Sequence, residues 1–268
     1  MINPGFRGGA PLAFKSIPPV CGPLKKKIGL AISEYRMIQH GDRIMIGLSG
    51  GKDSLVLALA LAGLRSRSPV GFDLSACTVD ITGGEVDLSP LRTFCSELDI
   101  SYSCRPYPIV DIIKNRGERS PCSLCANIRR GILNTAARES GCGSLALGHT
   151  LDDAVETALM NLFNNGRFKS FQPKQWQSRS GVTVIRPLIL AEERRVTKEA
   201  ARLSLPVTPY ICPFSVETER SRTKRAFAHL SAGNPKVKYN VAHALKCIDE
   251  ADRWGAEADR DRADDDPS

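Results

Sequence analysis

The chain has 268 residues, 42% of them hydrophobic, and a formal net charge of +8. That length supports a full core, and no apolar run approaches the roughly 20 residues of a membrane helix, so a helical membrane span is excluded and no membrane partner is expected. Pro4, Gly8, Gly9 and Pro11 leave the first residues without a signal peptide's apolar centre, so a cytoplasmic location is expected. The charge is uneven: Asp249 to Ser268 holds nine acids against three bases, a net of −6 that leaves +14 on the rest. Such an excess suits a polyanion, most commonly nucleic acid, against the plain alternative of a solvated charged surface.

Residues 1–21, rich in Gly and Pro, read as a flexible arm. Lys25-Lys26-Lys27 then leads a basic helix with Ile28, Ala31, Ile32 and Tyr35 at helical spacing, ended by Gly41-Asp42. Beyond it the chain alternates. A strand Arg43–Leu48, a glycine loop, a helix from about Asp53 to Leu64 and a strand from about Phe72 to Val79 come first. A helix near Leu88–Leu98, a strand near Ser101–Arg105, a helix after Cys125, a strand Ser144–Gly148 and a helix Asp152–Phe163 follow. Val182–Leu188 reads as a last strand and Glu192–Leu203 as a helix. Strands separated by helices pair in parallel through right-handed crossovers, which predicts an α/β fold with a doubly wound parallel sheet. Ligands of such sheets bind at the carboxyl ends of the strands.

The loop Ser49-Gly50-Gly51-Lys52-Asp53-Ser54 stands between strand and helix, so backbone N–H groups and the helix N-terminus converge on phosphate oxygens. Glycine permits that close approach, Lys52 adds positive charge, Ser49 and Ser54 offer hydroxyls, and Asp53 is a magnesium ligand or a cap. The Walker spacing is absent. A strand followed by S-G-G-x-D-S resembles the signature of PP-loop ATP pyrophosphatases. The resemblance implies an adenine nucleotide alpha-hydrolase-like fold and an enzyme that cleaves ATP between its α and β phosphates, leaving AMP on a substrate oxygen. The competing reading is a tight turn that merely needs glycines.

A second stretch, Gly148-His149-Thr150-Leu151-Asp152-Asp153 with Glu156 and Thr157 behind it, opens the later helix. Paired carboxylates at a helix start serve as caps, but capping needs only one of them. The stretch resembles the G-H-x-x-D-D-x-x-E-T element of PP-loop enzymes that modify tRNA. That implies that Gly148 approaches the nucleotide, His149 lines the site, and Asp152 or Asp153 assists the chemistry or holds magnesium.

Most of the nine cysteines are scattered singly, as small buried hydrophobes would be. Cys122-Ser123-Leu124-Cys125 differs, with Arg129 and Arg130 a turn beyond. Alone it reads as half a zinc site, a redox dithiol, two ligands of an iron–sulfur cluster, or chance. The run from Cys122 to Leu133 resembles the tRNA 2-thiocytidine synthetase family, which thiolates cytidine 32. Gly41-Asp42-Arg43, Asn161-Leu162-Phe163 and Ile185-Arg186-Pro187-Leu188 extend the resemblance over roughly residues 24 to 215. It implies a [4Fe–4S] cluster held by Cys122, Cys125 and a distant cysteine matched by Cys212, one iron being left open for the transferred sulfur. A departure is that Cys212 is followed by Pro213-Phe214-Ser215, where the family usually has a second CxxC.

The expected organisation is a flexible arm over 1–21 and an ATP-binding domain over 22–205, followed by a small basic appendage over 206–248 carrying Cys212 and an acidic tail over 249–268 expected to be disordered. The expected activity is ATP-dependent tRNA thiolation with Mg²⁺ and the cluster. Asp53, Asp152, Asp153 and Arg129 are the catalytic candidates, and a cysteine desulfurase or free sulfide is the sulfur donor. A homodimer remains open. The alternatives are a PP-loop sulfurtransferase for another tRNA base or a small molecule, and a non-catalytic nucleotide-responsive iron–sulfur or zinc sensor.

Overall fold

The fold is that of a computed structural model, described for residues 16–117, 121–208, 214, 219–234 and 236–247. The chain divides into two compact units, one from residues 1–153 with 172–218, the other from 154–171 with 219–268.

The first unit is built on a six-stranded sheet. Its strands are β1 (Arg43–Gly47), β2 (Asp73–Asp80), β3 (Ser101–Pro106), β4 (Ser144–Ala146), β5 (Lys174–Gln177) and β6 (Val182–Ile185), in the order β3-β2-β1-β4-β6-β5. The first five strands in that order are parallel, as the strand–helix alternation predicts, with Ile44 opposite both Leu74 and Ser144. Parallel strands need both faces covered. On one face lies α2 (Lys52–Arg65), whose Ser54 to Ala62 are all buried, packed on β1, β2 and α7 (Glu193–Arg202). The opposite face is covered by α4 (Ile109–Arg116) and α5 (Pro121–Glu139), whose Ile109, Ile113, Leu133 and Ala137 cluster with Met45, Cys77, Leu145 and Val184. The remaining helices of this unit are α1 (Gly22–Glu34) and α3 (Ser89–Glu97).

Three details differ from the pattern read in the sequence. The edge strand β5 pairs antiparallel with β6; its Lys-Gln-Trp-Gln sequence buries nothing fully, so no apolar alternation announced it. Helix α4 rests on only two buried side chains, Ile109 and Ile113. Helix α5 begins at Pro121, before the cysteine pair instead of after it, which fits proline's preference for the first helical position.

From β1 the chain proceeds to β2 and β3 on one side, while β4 lies on β1's other side. This reversal makes a crevice at the carboxyl ends of β1 and β4, where the glycine loop and the Gly148–Asp153 stretch both begin.

The second unit is helical, formed by α6 (Leu151–Asn165) from Ala154 onward, α8 (Glu219–Ala232) and α9 (Val237–Ala244). Val155 and Leu159 pack with Phe227, Val237 and Val241. Glu156, 6% exposed in its side chain, faces Arg220 Nε at 4.0 Å and Lys224 Nζ at 3.8 Å. Arg220 also donates to Thr157 Oγ1 at 3.3 Å. The Glu-Thr that closes the second signature thus anchors α8. No described helix is long and apolar enough to cross a membrane.

Candidate active site

The glycine loop is held by its own side chains. Ser54 Oγ donates to the Gly51 carbonyl at 2.9 Å and accepts from the Ser49 N–H at 3.1 Å, while the Gly51 N–H points to Ser49 Oγ at 3.3 Å. Thr78 Oγ1 on β2 donates to the Leu48 carbonyl at 2.6 Å. Gly50 has φ +78°, a region that L side chains rarely adopt, and its carbonyl accepts from the Thr208 N–H at 3.0 Å. Two buried oxygens here have no hydrogen-bond partner, Asp53 Oδ1 and Thr208 Oγ1. Buried polar atoms are ordinarily satisfied, so these two oxygens have hydrogen-bonding capacity left for a ligand or water at the loop.

Lys52 Nζ donates to Asp53 Oδ2 at 3.0 Å and Glu193 Oε1 at 2.9 Å. Burial works against its charge, but the bonds to Glu193 and Asp53 outweigh it and hold its pKa above the ordinary 10.5. Burial pushes the Asp53 carboxyl above its usual 3.8, opposed by Lys52 and reinforced by the charges of Asp153 and Glu193.

Gly148 lies directly against the first turn of α2. A Cβ there would stand 3.0 Å from the Asp53 carbonyl carbon and the Ser54 nitrogen, so glycine is what lets the two signatures meet. Both aspartates of the second signature have work in the frame. Asp153 Oδ2 accepts from the Thr150 N–H at 2.8 Å and Thr150 Oγ1 at 2.9 Å, and the Asp153 N–H returns to Thr150 Oγ1 at 3.4 Å, a reciprocal cap on α6. Asp152 Oδ2 accepts from the Glu193 N–H at 2.7 Å, stabilising the start of α7. His149 Nδ1 accepts from Arg186 Nε at 3.2 Å, while Arg186 Nη1 donates to the Gln172 carbonyl at 2.6 Å. Burial, with the nearby charge of Arg130, lowers the Arg186 pKa to about 10.

The cysteine pair occupies the first turn of α5, with Cys122 exposed and Cys125 half-buried. Spacing of three residues puts both sulfurs on one helical face, at the helix end that favours the negative charge of metal-bound thiolates. Arg129 Nε, a turn further on, is buried without a partner. Cys125 packs against the cluster under α5, and so does Phe214, two positions beyond Cys212. Cys212 itself lies outside the described residues. Elsewhere cysteines behave as hydrophobes: burial pushes the Cys95 thiol up to about 12.

The structure therefore brings Ser49 to Ser54 together with Gly148, Asp152 and Asp153, and places Cys122, Cys125 and Arg129 on the helix covering the opposite face of the sheet. Three residues at the site were missed by sequence reasoning: Glu193, Thr208 and Arg186 in its contact to His149. Arg186 belongs to a recognised landmark and Glu193 is an acid in a first helical turn, but their partners are distant in sequence.

A parallel sheet with a glycine loop at its switch point defines the class. Residues 24–205 match the family described as PP-loop domain. Curated relatives include a tRNA-cytidine(32) 2-sulfurtransferase of Geobacter metallireducens, 38% identical over 226 residues that span 83% of this chain and 88% of the relative. One of the same description from Coxiella burnetii is 37% identical over 221 residues, 81% and 86% of the two chains. The chain belongs to the PP-loop family and, within it, to that of the tRNA-cytidine(32) 2-sulfurtransferases. Among solved structures, a U34-tRNA thiolase from Methanococcus maripaludis with its [4Fe–4S] cluster is similar at TM-score 0.68 and 26% identity, over 84% of this chain and 76% of that one.

Proposed function

We propose that this enzyme thiolates tRNA at cytidine 32, using ATP to activate the carbonyl oxygen that sulfur replaces. The observation that carries the reading is the direct packing of Gly148 on the first turn of α2, which gathers the phosphate-binding loop and the tRNA-modification signature into one crevice. ATP binds with its phosphates on the Ser49–Ser54 loop and Lys52. The base oxygen bonds to the α-phosphorus as the bond to pyrophosphate breaks, and sulfur then takes that oxygen's place on the ring carbon while AMP departs with it.

Among the described residues no group of three or more His, Cys, Asp or Glu is arranged to hold a metal. Mg²⁺ fits nonetheless, because it commonly takes one or two carboxylates and fills the rest of its shell with phosphate oxygens and water. We assign the ion to Asp53, a reading supported by its buried unpartnered Oδ1. The cluster fits the thiols of Cys122 and Cys125, and Cys212 is the third ligand on this reading, supported by Phe214 packing against the same hydrophobic residues under the sheet as Cys125 does. When bound, a [4Fe–4S] group with three protein ligands supplies an open iron for sulfur. Arg129 offers its unpaired N–H to negative charge in this region, and the basic runs Lys25 to Lys27 and Arg220 to Arg225, each in its own unit, are the candidates for contact with the RNA backbone.

Mass spectrometry of tRNA nucleosides from a host lacking 2-thiocytidine, with and without this chain, tests the proposal. Expected is 2-thiocytidine with the native chain; its absence, with soluble cluster-loaded protein, overturns the choice of base. A second reading, another tRNA base or a small molecule, rests on the departure after Cys212, where Pro213-Phe214-Ser215 replaces a second CxxC.

A further inference from the structure

The hairpin of β5 and β6 carries a residue that the fold does not use. Trp176 is 62% exposed in β5, the last strand in the sheet order, whose outer edge pairs with no other strand among the described residues. A large apolar side chain on such an edge invites unwanted association, and an indole there adds nothing to the core. Its neighbours are polar and cationic. Lys174, on the same face by the two-residue period, donates to the Arg36 carbonyl, a neutral partner that leaves its charge in place. Arg179 stands exposed in the turn that joins the strands, where the Gln177 carbonyl accepts from the Ser180 and Gly181 N–H groups at 3.1 and 2.9 Å. From Gln172 to Ala191 the chain carries three bases, Lys174, Arg179 and Arg186, and no acid.

The hairpin is also tied to the active site. Arg186, which follows β6, donates from its backbone N–H to the Pro173 carbonyl at 3.0 Å, from Nη1 to the Gln172 carbonyl at 2.6 Å and from Nε to His149 Nδ1 at 3.2 Å. The strand therefore starts beside the second signature, and three residues of extended chain carry Trp176 about 10 Å beyond Pro173. Resting on the reading that tRNA is the substrate, we infer that Trp176 is a stacking platform for an unpaired tRNA base near the one modified, with Lys174 and Arg179 drawing the adjoining phosphates. A flat indole suits the π-face of any base, and single-stranded loops expose such bases. The flanking cations complement the RNA backbone, whereas a second copy of this chain would bring a second set of the same cations to the same edge.

The test is equilibrium binding of an unmodified tRNA with cytidine at position 32 to the full chain, over a range of salt, for the native protein, Trp176→Ala, Trp176→Phe and Arg179→Gln. Expected is about tenfold weaker binding by Trp176→Ala with the dependence of affinity on salt unchanged, and most of the affinity kept by Trp176→Phe. Arg179→Gln is expected to lower the salt slope by about one. ATP affinity and the urea midpoint stay at their native values, because an exposed side chain supports neither the loop nor the core. A loss in Trp176→Ala that comes with lower ATP affinity and a lower urea midpoint is structural damage and counts against the proposal. Native protein that binds tRNA no better than Trp176→Ala overturns this proposal alone. So does a Trp176→Ala variant that turns a dimer into monomers in sedimentation while each chain keeps its tRNA affinity, which assigns the edge to a second copy. Native protein that binds no tRNA overturns the substrate reading and the proposal together.

Discussion

The glycine loop and the cysteine turn both open helices that cover the sheet, yet they differ in how fully the chain finishes them. The loop is closed by local hydroxyls, by Thr208 on Gly50 and by an ion-paired lysine. The turn presents one exposed and one half-buried thiol from a single helix, and the proposed cluster would take its further ligand from elsewhere in the chain. A preorganised site binds without reorganising and so suits catalysis by positioned charge. A site assembled from separate segments is complete only when its ligand joins them, as metal sites couple binding to folding.

The largest expected effect breaks the turn without touching the loop. Cys122→Ser removes the exposed thiol, a ligand of the proposed cluster, and is expected to lower 2-thiocytidine in tRNA by at least about 100-fold, while ATP affinity stays within about twofold of native because the loop contacts are untouched. Nucleoside mass spectrometry and ATP binding on the same preparations check this. A parallel fall in ATP affinity is the result that denies the two sites their independence.

The converse variant strikes the loop through its neighbour. In Gly148→Ala the new methyl meets the backbone of Asp53 and Ser54 at 3.0 Å, atoms that move only if the start of α2 moves. A cost of about 1–3 kcal/mol is expected, with a loss of ATP affinity on the order of tenfold from the displaced loop. Gly47→Ala is the control. Its methyl meets Leu147 Cδ2 at 2.8 Å and Leu133 Cδ1 at 3.2 Å, the far ends of side chains that yield more cheaply than backbone, so a smaller cost of about 1 kcal/mol is expected. Urea denaturation of both variants decides whether backbone contact or mere crowding sets the penalty.

These contrasts also show where sequence and structure part. The alternation of strands and helices was legible because burial on both sides of a parallel sheet leaves continuous apolar runs, as in Ile44 to Leu48. The loop was legible because phosphate binding demands glycine and hydroxyl at fixed local spacing. Strand β5 was not, since a polar edge strand carries no core-facing period, and the start of α5 was displaced because Cys and Ser are weak helix formers despite Pro121. Glu193 shows the deeper limit: an acid at a helix start is an ordinary cap-region residue, and only the fold reveals that it meets Lys52. Asp152 and Asp153 were legible as a pair, but their frame contacts to Glu193 and Thr150 were separable only by geometry.

The smallest expected effect asks how firmly the loop's charges are set in the absence of nucleotide. Lys52 is held above 10.5 when folded, so its contribution to stability is fully present below pH 10.5 and is lost as pH rises through the folded value. Asp53 is raised above 3.8 by burial, so its favourable contribution belongs to the protonated form, present below pH 3.8 and lost as pH rises through the folded value. Native protein compared with Lys52→Met is therefore expected to lose its relative stability only above pH 10.5, whereas compared with Asp53→Asn it loses relative stability just above pH 3.8 and stays level through neutrality. Each difference should not exceed about 1 kcal/mol, because the groups are partly solvated and screened by salt. Urea midpoints across pH measure both. A Lys52→Met difference that vanishes already near neutral pH contradicts the ion pair with Glu193 and Asp53, and with it the contrast between a loop finished by its own charges and a turn that is not.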